Sequence, residues 1–282
     1  MVIFREIGPL RAYLKDKRSQ GLSVGLVPTM GALHRGHLEL VRASRKSNSV
    51  TVCSIFVNPT QFNNVSDLEK YPRTTEQDIT NLESVECDIL FAPGREEMYR
   101  KPSAIKFDFG KLDKVFEGEF RPGHFSGVAL VVSKLFNIVN PTRAYFGQKD
   151  YQQFKIVSRL VEELNFGIEL ICFPTLREED GLAMSSRNLR LSKEERESAL
   201  IFYRSLTFAK TELQKGVSFK IIEEKIRHMC LAEPGMRLEY FSLAETENLN
   251  RVDNVNLADK PILLMAGFVG EIRLIDNMFV HD

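Results

Sequence analysis

Pro28-Thr29-Met30-Gly31-Ala32-Leu33-His34-Arg35-Gly36-His37 is the stretch on which the reading of this sequence turns. A short apolar run over residues 23–27 precedes it. Leu38-Glu39-Leu40-Val41, with apolar residues at helical spacing, follows it. The order is strand, tight turn, helix. Glycine lets backbone approach a ligand closely. A helix N-terminus offers N–H donors and a partial positive charge, which suits an anion. His34 and His37 are three residues apart, so their rings face one spot on the first helical turn. The stretch therefore reads as a phosphate-handling site.

Working outward, residues 8–20 carry Leu10, Tyr13, Leu14 and Lys17 at helical spacing, and Gly21 reads as the stop. Residues 50–57 form a second continuous apolar run, rich in β-branched side chains, and read as a buried parallel strand. The unit is βαβ with a right-handed crossover. No G-x-G-x-x-G follows the first strand, so a dinucleotide fingerprint is absent. The second strand runs into Asn58-Pro59-Thr60-Gln61-Phe62, where Pro59 forces an extended turn. Asn58 and Gln61 then sit at the carboxyl end of the sheet, where open α/β sheets bind ligands. Asn58 either caps that turn or faces a ligand. Gln61 has no such local task and reads as a ligand contact.

The whole chain sets the bounds. Its 282 residues suffice for one large or two medium domains, and 43% hydrophobic residues permit a full core. No apolar run reaches the roughly 18 residues of a membrane span, and the N-terminus lacks signal-peptide features. Lys+Arg and Asp+Glu both number 38, so formal net charge is zero. A protein built to hold nucleic acid usually shows a basic excess. Cys53, Cys87, Cys172 and Cys230 form no C-x-x-C pair, and they read as inert thiols in a reducing cytoplasm.

Further along, residues 67–84 are charged with helical spacing, residues 87–92 read as a third strand, and residues 105–109 as an edge strand. Residues 117–127, with Arg121-Pro122-Gly123-His124 at their centre, read as an irregular binding loop. A helix with a broad apolar face follows over residues 128–139. Ala144-Tyr145-Phe146 then leads into Gly147-Gln148-Lys149-Asp150-Tyr151-Gln152-Gln153, a second strand–glycine–helix junction. The helix dipole disfavours lysine there unless an anion is bound, which makes Lys149 telling. Asp150 would cap that helix or accept a hydrogen bond from a ribose hydroxyl, and Gln153 lies one turn on. After a strand at residues 168–173 the texture changes. Ser185-Ser186-Arg187 offers two hydroxyls and a guanidinium, suited to a nucleotide's outer phosphates. Because Ser192 and Glu195 already form a capping box for the next helix, both serines read as available. One long helix over 193–215, another over 219–231 and three closing strands suggest a small α+β domain. The expected division is residues 1–175 and residues 176–282.

Together these residues resemble the pantothenate synthetase (pantoate–β-alanine ligase) family over nearly the whole chain. Residues 28–37 are similar to its form of the class I "HIGH" signature. Phe56-Val57-Asn58-Pro59-Thr60-Gln61-Phe62, then Arg121-Pro122-Gly123-His124-Phe125 with Gly127-Val128, then Phe146-Gly147-Gln148-Lys149-Asp150 with Gln152-Gln153 resemble its next three motifs. Asp180-Gly181-Leu182-Ala183-Met184-Ser185-Ser186-Arg187-Asn188 resembles its "KMSKS" counterpart. Leu130 departs from the threonine expected after Gly127-Val128. The resemblance implies an α/β protein: a Rossmann-like parallel-sheet nucleotidylyltransferase domain of the HIGH superfamily, with a smaller α+β C-terminal domain, in a cytoplasmic homodimer. It implies a two-step reaction, in which pantoate and ATP give pantoyl adenylate and pyrophosphate, and β-alanine then gives pantothenate and AMP.

The resemblance also implies roles. His34, His37 and Lys149 are the catalytic candidates. Met30, Gly31, Gly147, Asp150, Leu176, Met184, Ser185, Ser186 and Arg187 join them around ATP. Gln61, Gln153, Asn58 and Met30 would hold pantoate or β-alanine, and neutral amides avoid repelling an anionic acid. Mg²⁺ would travel with ATP, held mainly by phosphates and water. Asp78 is considered for the ion, but no metal ligand is assigned. Two other readings compete. One is another adenylyl-transferring enzyme of the superfamily, such as a cytidylyltransferase or an aminoacyl-tRNA synthetase; pantoate-dependent pyrophosphate exchange discriminates. The other is a non-catalytic nucleotide-binding protein, whose signature would be loss of His34, His37 or Lys149.

Overall fold

The computed structural model describes residues 1–281. The chain divides into two compact units: residues 1–147 with 152–174, and residues 148–151 with 175–282.

The first unit is built on a six-stranded sheet. Its elements are β1 (Val2–Phe4), α1 (Ile7–Ser19), β2 (Val24–Thr29), α2 (Arg35–Ser47), β3 (Val50–Ile55), α3 (Val65–Glu69), α4 (Thr75–Ser84), β4 (Ile89–Phe91), α5 (Arg95–Met98), α6 (Glu117–Phe120), α7 (His124–Val139), β5 (Arg143–Gly147), α8 (Tyr151–Glu163) and β6 (Glu169–Phe173). The strands lie in the order β1-β4-β3-β2-β5-β6, and all five pairings are parallel. Both faces are covered, which is why β2 and β3 read as unbroken apolar runs rather than alternating ones. Val24 and Leu26 pack with Leu10, Leu14, Val132 and Phe136 on one face. Val27 and Cys53 pack with Leu40, Val41, Leu82 and Leu90 on the other. The chain leaves β2 toward β3 on one side and pairs β2 with β5 on the other. The carboxyl ends of β2 and β5 therefore flank the topological switch point, the usual ligand crevice of such sheets.

The second unit holds α9 (Lys193–Ser198), α10 (Ile201–Gln214), α11 (Phe219–Ala232), β7 (Met236–Glu245), β8 (Pro261–Val269) and β9 (Ile272–Phe279). The strands form an antiparallel sheet in the order β7-β8-β9. Phe202, Leu206 and Ile222 pack on Phe241, Leu263 and Met265 to make its core.

Several expectations are corrected. Residues 105–109 form no strand: Phe107 and Phe109 give their N–H groups to Ser126 Oγ (2.9 Å) and Asp113 Oδ2 (3.2 Å). Residues 117–127 are not an irregular loop but α6 and the start of α7, separated at Gly123 (φ +81). Gly118 and Gly127 serve close packing, since a Cβ would stand 2.1 Å from the Asp113 carbonyl oxygen at the first and 2.2 Å from the Thr60 carbonyl oxygen at the second. Residues 67–84 split into two helices around Pro72, which removes a donor and restricts Tyr71. The expected helix over 193–215 breaks into two where Leu200 and Phe202 switch to i→i−3 bonds. The strand β1 goes unread in sequence because it is three residues long and largely exposed.

Candidate active site

The turn after β2 is held by Asp78 of α4. This carboxylate is 1% exposed. It accepts from Ala32 N (2.9 Å) and Leu33 N (2.7 Å), with Thr74 Oγ1 at 3.2 Å. Gly31 (φ +82) and Ala32 (φ +49) both take left-handed backbone to present those N–H groups. At Gly31 a Cβ would also press on Asp78 and Ile55, each at 3.1 Å. With both oxygens committed to the turn, Asp78 is an organiser of the signature rather than a contact for an ion.

The histidines then cap α2 with each other's help. His34 is the N-cap, and its Nδ1 accepts from Gly36 N (3.1 Å). His37 Nδ1 accepts from His34 N (3.4 Å). The ring centroids stand 4.0 Å apart. An Nδ1 that accepts from backbone carries no proton, so each neutral ring holds its N–H at Nε2. This changes the expectation of a bare helix N-terminus. The N–H groups of Gly31, Ala32, Leu33, His34, Gly36 and His37 are already bonded within the unit.

Beyond β3, Asn58 is 1% exposed and fully engaged. Its Oδ1 accepts from Thr60 N (3.4 Å), Thr60 Oγ1 (3.0 Å) and Tyr99 Oη (2.8 Å). Burial pushes the Tyr99 phenol up, against the Thr60 hydrogen bond that lowers it, so the phenol stays a donor. The Asn58 amide donates to Gln61 Oε1 (3.0 Å) and the Gly127 carbonyl (3.1 Å). Asn58 thus takes the capping alternative. Gln61 is 7% exposed, and its Nε2 lies 3.2 Å from Met30 Sδ. The structure brings Met30, Asn58 and Gln61 together beside the signature turn. Gln152, next to Gln153, faces the 112–117 turn instead, donating to the Leu112 and Val115 carbonyls (both 2.8 Å).

Within the second unit, residues 148–150 form a 3₁₀ turn tied to β9. Asn277 Nδ2 donates to the Gln148 carbonyl (2.9 Å) and the Lys149 carbonyl (2.8 Å). Its Oδ1 accepts from Gln148 Nε2 (3.2 Å). Lys149 Nζ stands 4.0 Å from Asp150, whose side chain is half-exposed. The neighbouring Asp276 is buried and pairs with Arg177 through both oxygens (2.6 and 3.0 Å). Burial pushes the Asp276 carboxyl up; Arg177 and, more weakly, Lys149 pull it down. Arg177 also holds the Gly181 carbonyl (3.0 Å) and lies over the Tyr203 ring. Met184 N donates to the Leu176 carbonyl (3.0 Å), so Leu176 and Met184 lie side by side. Ser185 is not idle, as it caps the turn Ser186–Arg190 by accepting from Arg187 N (3.3 Å). Ser192 and Glu195 form the expected capping box downstream.

Sequence reasoning missed the tasks of Asp78, Tyr99, Arg177, Asp276 and Asn277. Asp276-Asn277 does carry a signal, a charged and an amide residue side by side in a strand that is apolar apart from them and Arg273, which demands buried partners. Burial pushes Cys87, Cys172 and Cys230 to about 11 and Cys53 well above its ordinary value, which suppresses the thiolate.

A family model described as pantoate-beta-alanine ligase matches residues 2–279. The pantothenate synthetase of Bacteroides fragilis is 49% identical over 282 residues, covering 99% of this chain and 98% of that protein. That of Aquifex aeolicus is 48% identical over 283 residues, covering 100% and 99%. Among solved structures, pantothenate synthetase from Thermus thermophilus superposes with TM-score 0.94 at 42% identity, covering all of both chains. The Francisella tularensis pantoate-beta-alanine ligase, complexed with beta-gamma ATP and β-alanine, gives 0.82 at 33% identity, covering 100% of this chain and 98% of that one. With its parallel sheet, histidine-capped turn and full-length matches, this chain belongs to the pantoate–β-alanine ligase family, a family of ATP-using ligases.

Proposed function

We propose that the protein condenses pantoate with β-alanine at the expense of ATP, through pantoyl adenylate, releasing pyrophosphate and AMP. The observation that carries this reading is the paired imidazoles on the first turn of α2, each with Nδ1 committed to backbone. Two fixed Nε2–H donors suit an α/β-phosphate junction. The family match and the relative crystallised with beta-gamma ATP and β-alanine support the same substrates.

In the first step a pantoate carboxylate oxygen attacks the α-phosphorus, and the bond to the bridging oxygen of pyrophosphate breaks. Negative charge builds on that oxygen. His37 Nε2–H donates a hydrogen bond to it, and His34 steadies the same bridge. Lys149 and Arg187 offset charge on the outer phosphates, with Ser185 and Ser186 donating hydroxyls. Phosphoryl-type transfer is mostly positioning and charge stabilisation, so no nucleophilic side chain is required. Gln61 and Gln153 hold the hydroxyls and carboxylate of pantoate, with Met30 against its apolar part. In the second step the β-alanine amine attacks the acyl carbon, AMP leaves, and the amine gives up its proton.

Mg²⁺ arriving on ATP supplies further charge neutralisation. Among the described residues no group of three His, Cys, Asp or Glu could cage it, and Asp78 is committed to backbone. The donors that fit the ion are phosphate oxygens and water. A homodimer and a cytoplasmic location belong to the same reading, and light scattering on the purified protein checks the former. The function is tested by mass detection of pantothenate and AMP from ATP, pantoate and β-alanine. Exchange of pyrophosphate with other acids but not with pantoate would sink it.

A further inference from the structure

We propose that His124 is a positioning residue for the acid substrate, fixing the Gln61 peptide and through it the Gln61 carboxamide. The inference rests on the assignment of Gln61 to pantoate. The Arg121-Pro122-Gly123-His124 motif has no task in the reaction set out above, yet its histidine is 6% exposed.

Both ring nitrogens of His124 are in use. Nε2 lies 3.2 Å from Arg121 Nη1, and Nδ1 lies 2.8 Å from the Gln61 carbonyl oxygen. A guanidinium only donates, so Nε2 accepts. Nδ1 therefore carries the proton and donates to Gln61. Both partners demand this tautomer, because the Gln61 carbonyl only accepts and the Arg121 guanidinium only donates. Arg121 is anchored in turn by Glu117 at 3.8 Å, whose side chain is 8% exposed. The Glu117 N–H donates to Gln152 Oε1 (3.0 Å). A chain of polar contacts thus runs from Gln152, next to Gln153, through Glu117, Arg121 and His124 to Gln61, all inside the first unit.

One turn further along α7, the Gly127 carbonyl accepts from Asn58 Nδ2 (3.1 Å) and Thr60 Oγ1 (3.4 Å). A Cβ at Gly127 would stand 2.2 Å from the Thr60 carbonyl oxygen, so only glycine allows that approach. The start of α7 therefore grips the 58–61 turn at three points: the Asn58 side chain, the Thr60 hydroxyl and the Gln61 peptide. A glutamine has three side-chain torsions, and a small shift of its peptide moves the carboxamide by a comparable distance. Misplacement by about 1 Å can cost on the order of 100-fold in rate.

Steady-state kinetics on the full-length protein, with pantoate and ATP varied separately, tests this. His124→Phe keeps a planar aromatic ring, though a larger one, and removes both hydrogen bonds. His124→Asn restores a donor at the Nδ1 position. The expected result is a rise of about tenfold or more in KM for pantoate in the Phe variant, with KM for ATP within about twofold of the parent, and recovery to within about threefold in the Asn variant; tenfold corresponds to about 1.4 kcal/mol. Equal rises in both KM values, an unchanged pantoate KM in the Phe variant, or an Asn variant no better than Phe would each overturn it. Should the Phe variant not fold, Arg121→Met carries the test. It removes the donor that holds the ring at Nε2 and should raise pantoate KM by about threefold with ATP KM unchanged; an unmoved pantoate KM overturns the proposal. A parent protein that releases no pyrophosphate with pantoate refutes the assignment of the substrate instead.

Discussion

After β2 the chain turns under the carboxylate of Asp78, 46 residues on from Ala32. After β5 it turns under the carboxamide of Asn277, 128 residues on from Lys149. The two junctions share a sequence grammar of strand, glycine and helix, but their polar groups are paired in opposite senses. At the first, a carboxylate and two imidazoles take up backbone N–H groups. At the second, a neutral amide donates to backbone carbonyls. The difference teaches that a strand–glycine–helix junction need not end in bare backbone N–H groups. Its backbone donors can be consumed in holding the turn still.

The largest effect should fall on the first junction. His37→Ala should lower kcat for pantothenate formation by about 10²–10³, the usual cost of losing one preorganised donor to developing charge. Full activity in this variant would show that the rings are not the working donors. Asp78→Asn comes next. Its carboxamide offers one acceptor oxygen where two N–H groups need partners, and its NH₂ confronts the other. Urea unfolding should show a loss of about 2–4 kcal/mol; a loss below about 1 kcal/mol would mean that the turn holds itself. At the second junction, Asn277→Ala should raise KM for ATP about tenfold, or about 1.4 kcal/mol, and leave KM for pantoate within about twofold. A matching rise in pantoate KM would erase the distinction between the junctions. The smallest effect supplies the baseline. Ser192→Ala removes the capping box of α9 and should cost about 1 kcal/mol in stability, with neither KM altered.

Much of the fold was legible. The strands β2, β3, β5 and β6 and helices α1, α2 and α8 follow from apolar runs and helical spacing bounded by Gly21, Pro59 and Pro174. The 105–109 segment failed because alternation states only that a strand is possible; the side chains of Asp113, just past it, and of Ser126, on α7, claim its N–H groups first. The 117–127 segment failed for a related reason. Its glycines and polar residues read as an irregular loop, whereas Gly118 and Gly127 are there because other backbone lies where a Cβ would be. At the candidate site, residue types were legible and partners were not. Gln61 stood out as an amide without local work, yet its carbonyl is held by His124 and its carboxamide by Asn58.

What the sequence determined by itself is the α/β class, the family and the main strands and helices of the parallel sheet, along with the set of imidazole, ammonium, guanidinium and amide groups that its motifs carry. These are properties of spacing and residue type, and a local window contains them. Only the tertiary structure decided which of those groups are already spent. Asp78 on the signature turn, His124 on Gln61 and Asn277 on the Lys149 turn are each bonds across tens of residues or more. A buried polar group must find a partner wherever the fold brings one, so the donors left for a ligand are known only once the others are paired.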